Sequence, residues 1–287
     1  MERDTTSSGE GASSPPASRP SSLRITYVGH ATLLIEAAGT RILTDPNFDP
    51  ALGRLLPRVS APGIALDALP RLDAILLTHA HADHLSFASL DALPRDVPLY
   101  APPAVDRWLR RRGYAHSVPL APDESARVGA VEVHAAYAKH KGARYGVDRW
   151  RSAANMYLLD AGGGSCFFAG DTALTEETHA FVHGRLPPGR RQLDVALLPI
   201  GHAPWWKPGF RRGHLTSEDA LTLFERLDAR YFIPYHWGTF RHVTSGPYDA
   251  VERLRQHIRT HTRGHAVRII EPGGVFVLRR ERDRAGG

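Results

Sequence analysis

A single cysteine, Cys166, among 287 residues excludes an internal disulfide framework. It stands in the apolar run Cys166-Phe167-Phe168-Ala169, which predicts a buried, inert thiol and suits a reducing cytoplasm. No apolar stretch approaches the roughly 20 residues that a membrane-spanning helix needs. Residues 1–22 lack the hydrophobic centre of a signal peptide. A soluble, unexported chain is therefore expected. Strong charge of one sign is also missing, since 36 basic residues against 30 acidic ones leave only +6. The arginines are scattered (Arg110, Arg111 and Arg112; Arg190 and Arg191; Arg279 and Arg280) and form no single stripe with interleaved aromatics, so no stable nucleic-acid partner is expected. A composition of 42% hydrophobic and 23% charged residues excludes disorder, collagen and coiled coil for the chain as a whole.

What remains is a chain able to bury about three quarters of its surface. Residues 1–22 are Ser, Gly, Pro and Glu with almost nothing apolar, so they cannot offset their ordering entropy and read as a disordered polar tail. Residues 23–287 read as one folded domain. Short β-rich runs at 23–28, 32–37 and 41–44 predict a strand meander, and further apolar runs fall at 74–77, 131–136, 156–159, 166–169 and 195–200. Helical periodicity appears near 104–112, 217–227 and 248–260, with Thr216 or Ser217 as N-cap of the second of these. Segments 267–270 and 275–278 around Pro272-Gly273-Gly274 predict a closing hairpin. The class is α/β. Two long irregular segments, 46–70 and 202–213, are of the kind that usually carries function.

The chemistry is concentrated at strand ends. After Ala74-Ile75-Leu76-Leu77 comes Thr78-His79-Ala80-His81-Ala82-Asp83-His84, a His-x-His-x-Asp-His cluster at the carboxyl end of an apolar run. Imidazole and carboxylate are the nitrogen and oxygen donors that Zn²⁺ prefers, and four of them within six residues suggest two ions. One segment cannot complete two tetrahedral shells. His140, Asp171 in Gly170-Asp171-Thr172, and His236 each follow another apolar run, and Asp45 in Thr44-Asp45-Pro46 ends an early one. Each alone reads as a turn or core residue; together they predict a metal site. The remaining histidines, His30 among them, have no such context and are assigned to surface or core.

This set, in this order, resembles the five sequence motifs of the metallo-β-lactamase fold superfamily. The segments Thr26-Tyr-Val-Gly-His-Ala-Thr, Asp194-Val-Ala-Leu-Leu-Pro-Ile-Gly, His214-Leu-Thr-Ser-Glu-Asp-Ala and Pro234-Tyr-His-Trp-Gly-Thr-Phe resemble the branch that contains N-acyl-phosphatidylethanolamine-hydrolysing phospholipase D and the ascorbate-6-phosphate lactonases. The resemblance implies a four-layer αβ/βα sandwich with a dinuclear zinc site at one edge. It implies that one zinc takes His79, His81 and His140, that the other takes Asp83, His84 and His236, that Asp171 bridges, and that Asp45 supports the ligands from behind. Mn²⁺ or Fe²⁺ would suit the same donors. Two divalent ions, two ligand carboxylates and one hydroxide leave roughly one net positive charge, which attracts anions. The bridging hydroxide would be the nucleophile. The stretch between Asp171 and His236 leaves little room for the extra nuclease domain of the β-CASP branch, and His81 stands where the flavodiiron branch usually has Glu.

The expected function is hydrolysis of a phosphodiester-type, phospholipid-like or other anionic small molecule. A lactonase or carboxylic ester hydrolase on the same metals, and a metal-bound binding or sensing protein with weak turnover, are the alternatives. Asp83 and His214 are the expected catalytic residues, His214 by resemblance as a non-ligand histidine that binds the scissile group or protonates the leaving group. Trp205, Trp206, Arg211 and Tyr145 are candidate substrate contacts. Ser217 stands where the phospholipase pattern usually carries Pro, so membrane-lipid specificity is not carried over. The oligomeric state is left open.

Overall fold

The computed structural model describes residues 23–53, 56–144, 153–187, 189–190, 192–201, 209–241 and 245–278; the polar segment 1–22 lies outside the described residues. In chain order the elements are β1 (Leu23–Gly29), β2 (Thr32–Ala37), β3 (Thr40–Thr44), β4 (Ala51–Leu52), β5 (Leu56–Pro57), β6 (Ala74–Leu76), α1 (Phe87–Ala92), β7 (Leu99–Ala101), α2 (Pro103–Arg111), β8 (Ser117–Pro119), β9 (Ser125–Val128), β10 (Val131–Tyr137), β11 (Asn155–Asp160), β12 (Ser165–Phe168), α3 (Glu176–Arg185), β13 (Val195–Pro199), α4 (Ser217–Arg226), β14 (Tyr231–Tyr235), α5 (Asp249–Ile258) and β15 (Val275–Leu278).

They build two mixed sheets, with β4 and β5 paired apart from them as a two-stranded ribbon. The first runs β15-β1-β2-β3-β6-β7-β8 and the second β14-β13-β12-β11-β10-β9. In the first, the strands from β15 to β3 pair antiparallel and those from β3 to β8 parallel. Alternation along each strand divides its side chains between two cores, because successive residues face opposite sides of a sheet. Leu23, Ile25 and Tyr27 of β1 join Val133, Tyr157, Phe168 and Leu197 between the sheets. Val28, Leu34, Leu43 and Ile75 face the other way, onto Leu90 of α1 and Val105 and Leu109 of α2. On the far side of the second sheet lie Leu223 and Phe224 of α4 and Val251 and Leu254 of α5. Helix, sheet, sheet, helix is the four-layer αβ/βα sandwich that the motifs imply. Strands buried on both faces read as near-continuous apolar runs, which is why their positions were visible in the sequence.

Helix α4 opens with a capping box, Thr216 accepting from the Asp219 N–H while Asp219 accepts from the Thr216 N–H. Two helices escape periodicity: α1 is only six residues long, and α3 buries only Thr178 and Val182, so neither carries an apolar stripe. The closing hairpin is not formed. Instead β15 pairs antiparallel with β1, Leu23 opposite Leu278, while Val267 bridges Phe232 of β14. Each arm finds an open sheet edge, and the non-local pairings prevail over the local turn. Cys166 is fully buried, which pushes its thiol pKa up as expected of an inert cysteine. Among the described residues no helix is long and apolar enough to cross a membrane.

Phe167 is fully buried on the helix-covered face of the second sheet, in line with Ala196 and Phe232. Phe167→Ala should lower unfolding stability by about 3–5 kcal/mol in urea titration, through lost burial and the cavity left behind. Val277→Ala, at a side chain 40% exposed, should stay within about 0.5 kcal/mol.

Candidate metal centre

Strands β1, β3, β6, β10, β12 and β14 end on one edge, and the ligand-type residues sit in the loops that leave them. A groove of about 610 Å³ lined by Leu66, Asp73, Leu93 and Val97 opens at the amino ends of β6 and β7, away from that edge, and contains no histidine.

The first group comprises His79, His81, His140 and Asp171, and the second His84, His236, Asp83 and His30; in each, one donor atom per residue lies within 4.8 Å of the others. In the first, His79 Nε2 is 3.0 Å from His81 Nδ1, which is 3.1 Å from His140 Nε2. These approach the ligand–ligand spacing of about 3.3 Å that bonds of 2.0–2.1 Å around a tetrahedral ion would give. In the second, His84 Nε2 lies 3.3 Å from His236 Nε2, with Asp83 Oδ2 at 3.7 and 3.6 Å from them. Asp171 stands between the groups: its carboxylate is 3.4 Å from both His84 and His236 and 4.0 Å from His140. Its Oδ1 is buried and hydrogen-bonds to nothing. An orphaned carboxylate oxygen among converging imidazole nitrogens is costly without a cation, and it fits one.

Hydrogen bonds behind the groups set which nitrogen each ring presents. Asp45, fully buried, accepts from the Thr78 N–H at 2.7 Å, the Thr78 hydroxyl at 2.6 Å and His84 Nδ1–H at 2.8 Å. With its proton given to Asp45, the Thr78 oxygen accepts from His79 Nδ1–H at 2.9 Å. One carboxylate thus turns the Nε2 lone pairs of His79 and His84 toward the two groups. His140 Nδ1–H donates to the Gly213 carbonyl at 2.8 Å, with the same result. Gly170 places Asp171: its φ is +57°, and a Cβ there would lie 2.8 Å from the Thr78 side chain. The loop bearing Asp83 is pinned by Asn47, whose amide donates to the carbonyls of Ala82 and Asp83.

The charges are balanced locally. Burial, with its histidine neighbours, holds His79 well below the usual imidazole range, and burial brings His140 to about 4, so both rings are neutral donors at pH 7. Burial opposes charge on Asp171 and Asp83, yet the surrounding histidines outweigh it and hold both carboxyls well below their usual range. Burial likewise opposes a proton on His84, but the carboxylates of Asp171 and Asp83 push its pKa well above the ordinary value. Three residues here are non-glycine with left-handed backbones, His30 (φ 54°), Asp45 (φ 34°) and His236 (φ 75°). Such conformations cost on the order of 1–3 kcal/mol each and persist where the surroundings hold them.

The structure brings together all seven residues expected to hold metal, with Asp45 behind them. His214 joins the edge, its ring 4.8 Å from that of His140, its Nε2 3.5 Å from Asp171 Oδ2 and its side chain 35% exposed. Arg211 is engaged at the start of α4, 3.0 Å from Asp219 and donating to Thr216. Trp205, Trp206 and Tyr145 lie outside the described residues. His30 was missed: assigned to surface or core, it is 1% exposed and belongs to the second group. Its signal was the Gly29-His30 pair at the end of an apolar strand.

Residues 40–237 match the family model of the beta-lactamase superfamily domain. The chain is 30% identical to a metal-dependent hydrolase of Heliobacterium modesticaldum, over 76% of this chain and 84% of that protein. It is also 30% identical to an uncharacterised protein of Mycobacterium tuberculosis, covering 82% of this chain and 63% of the relative's length. The mitochondrial N-acyl-phosphatidylethanolamine-hydrolyzing phospholipase D of Saccharomyces cerevisiae is 30% identical, over 78% of this chain and 48% of that one. Among solved structures, a possible metal-dependent hydrolase of Veillonella parvula superposes with a TM-score of 0.71 at 17% identity, over 89% of this chain and 99% of that one, which speaks for the fold.

Asp45→Asn presents an amide where three donors, two N–H and one O–H, now find a carboxylate. It should lower metal affinity by about 10–100-fold, read by competition with a chromogenic chelator, while the far-ultraviolet circular dichroism stays unchanged.

Proposed function

This chain belongs to the metallo-β-lactamase fold superfamily, and on that footing we propose that it is a dinuclear zinc-dependent hydrolase of phosphodiester-type or other anionic small molecules. The observation that carries the reading is Asp171, whose buried carboxylate reaches residues of both groups and whose Oδ1 makes no hydrogen bond. In this reading His79, His81 and His140 hold one ion, Asp83, His84 and His236 the other, and Asp171 both. Bound ions would supply Lewis acidity and an activated water whose pKa is lowered toward about 7.

The chain's own groups do the rest. Asp45 and Thr78 hold His79 and His84 in the tautomer that leaves a lone pair free. His81, Asp83, His236 and His214 form the more open side of the edge, where substrate would enter. His214 is held by a 3.3 Å hydrogen bond from Nδ1–H to the Phe210 carbonyl and stacks on the Phe210 ring. Its partly exposed Nε2 is the group we assign to hold the scissile group or deliver a proton to the leaving oxygen. Arg211, Trp205, Trp206 and Tyr145 are retained as substrate contacts, the last three on sequence alone. Similarity to the yeast phospholipase supports the phosphodiester class.

Metal content and hydrolysis should be measured together on wild type and Asp83→Ala, against phosphodiesters, phospholipids and lactones. The expected result is about two ions per chain, turnover of phosphodiesters, and loss of one ion and of turnover in the variant. Ring-opening of lactones alone would move the assignment to ester hydrolysis; two ions without turnover would favour a binding or sensing role; absence of metal would overturn the reading. His214→Ala should keep both ions and lose about 10²–10⁴-fold in kcat, and full activity would remove His214 from the chemistry.

A further inference from the structure

We propose that His30 is a positioning residue for the second metal group: its Nε2–H fixes the Asp83 carboxylate relative to His236, so that ligands arriving from the two sheets stay in register. The inference rests on the two-ion reading above. His30 Nε2 lies 3.0 Å from Asp83 Oδ2, and since a carboxylate oxygen only accepts, the imidazole donates. A second N–H, on the buried Nδ1, would find no acceptor, so the ring keeps its single proton on Nε2. With that proton on Nε2, Nδ1 carries the lone pair, and Nδ1 is buried without a partner.

His30 is itself held from several sides. Its N–H donates to the Thr239 hydroxyl at 2.6 Å, and its carbonyl accepts from the His236 N–H at 2.9 Å. Its ring lies 3.8 Å from that of His236, with Phe240 edge-on at 5.3 Å and His84 edge-on at 5.6 Å. The tripeptide Gly29-His30-Ala31 at the end of β1 thereby clasps the segment 236–240 that leaves β14. Asp83 comes from the loop after β6 in the first sheet, and His236 from β14 in the second. His30 touches both, and among the described residues outside the expected ligand set no other side chain hydrogen-bonds Asp83 in this way.

Ligation by His30 itself is a weaker fit. The second group already offers Asp83, His84, His236 and the shared Asp171, a complete four-ligand shell. The one N–H of His30 is committed to Asp83, and its free lone pair is on the opposite ring nitrogen. A histidine supporting a carboxylate ligand inverts the more usual arrangement, in which a carboxylate supports a histidine ligand.

The test uses full-length protein loaded with Zn²⁺ or Co²⁺, comparing wild type with His30→Phe, His30→Leu and His30→Gln. Readouts are ions retained per chain across a chelator series, the Co²⁺ absorption spectrum and the thermal midpoint. His30→Phe keeps a ring of similar size without the donor; it should keep one ion at wild-type affinity and bind the other about 10–100-fold more weakly, with an altered Co²⁺ spectrum. His30→Gln, whose amide N–H can replace the donor, should recover most of that loss. His30→Leu is a second donor-free variant if the Phe protein fails to fold. Wild-type affinity for both ions in a donor-free variant overturns the proposal. So does loss of the second ion in the Gln variant as complete as in His236→Ala, which would make His30 a ligand. A wild type holding fewer than two ions defeats the two-ion reading instead, and is seen before any variant is made.

Discussion

The buried carboxylate of Asp45 is the constraint on which the edge of this molecule depends. Stripped of water, it is tolerable only because the Thr78 N–H, the Thr78 hydroxyl and His84 Nδ1–H all point at it. Burial still pushes its pKa up, against those same hydrogen bonds. In return it fixes the turn after β6 and, through Thr78, the orientation of His79. One residue at the end of β3 therefore sets a histidine in each of the two groups. That is possible because β3 and β6 are parallel neighbours, so their carboxyl ends lie side by side.

The second organising device is the convergence of the two sheets. Asp45, His79, His81, Asp83 and His84 follow strands of the first sheet, whereas His140, Asp171 and His236 follow strands of the second. Neither sheet alone holds a complete set of donors. The core between them, with Tyr27, Phe168 and Leu197 fully enclosed, is what holds the two half-sites at hydrogen-bond range. The left-handed backbones of His30, Asp45 and His236 mark where the chain is bent out of its preferred conformations to bring those side chains in. The Trp237-Gly238-Thr239-Phe240 stretch has a clear physical purpose: Thr239 holds the His30 backbone, Phe240 closes over its ring, and the Trp237 carbonyl accepts from the Tyr27 hydroxyl.

The legibility of the sequence followed the range of the interactions. The strands from 23 to 44, the apolar runs that became β6, β10 and β13, and helices α2, α4 and α5 were readable because burial on one or two faces leaves a local pattern. Helix α3 left none, with only Thr178 and Val182 buried, and the arms flanking Pro272 pointed to a hairpin that the free edges of β1 and β14 pulled apart. At the site, the spacing from His79 to His84 was visible as a dense cluster. His30 was not, because a lone histidine after a glycine looks the same in sequence whether it faces solvent or Asp83.

Local composition and periodicity carry the class of fold, the strand ends on which ligand-type residues gather and the chemical kind of those residues. Which residues share a group, that Asp171 stands between the two, that Asp45 orients His84 directly and His79 through Thr78, and that His30 belongs with them emerge only from the packed fold. Those are relations across 30 to 200 residues of chain, and they exist only once the two sheets have closed on a common core.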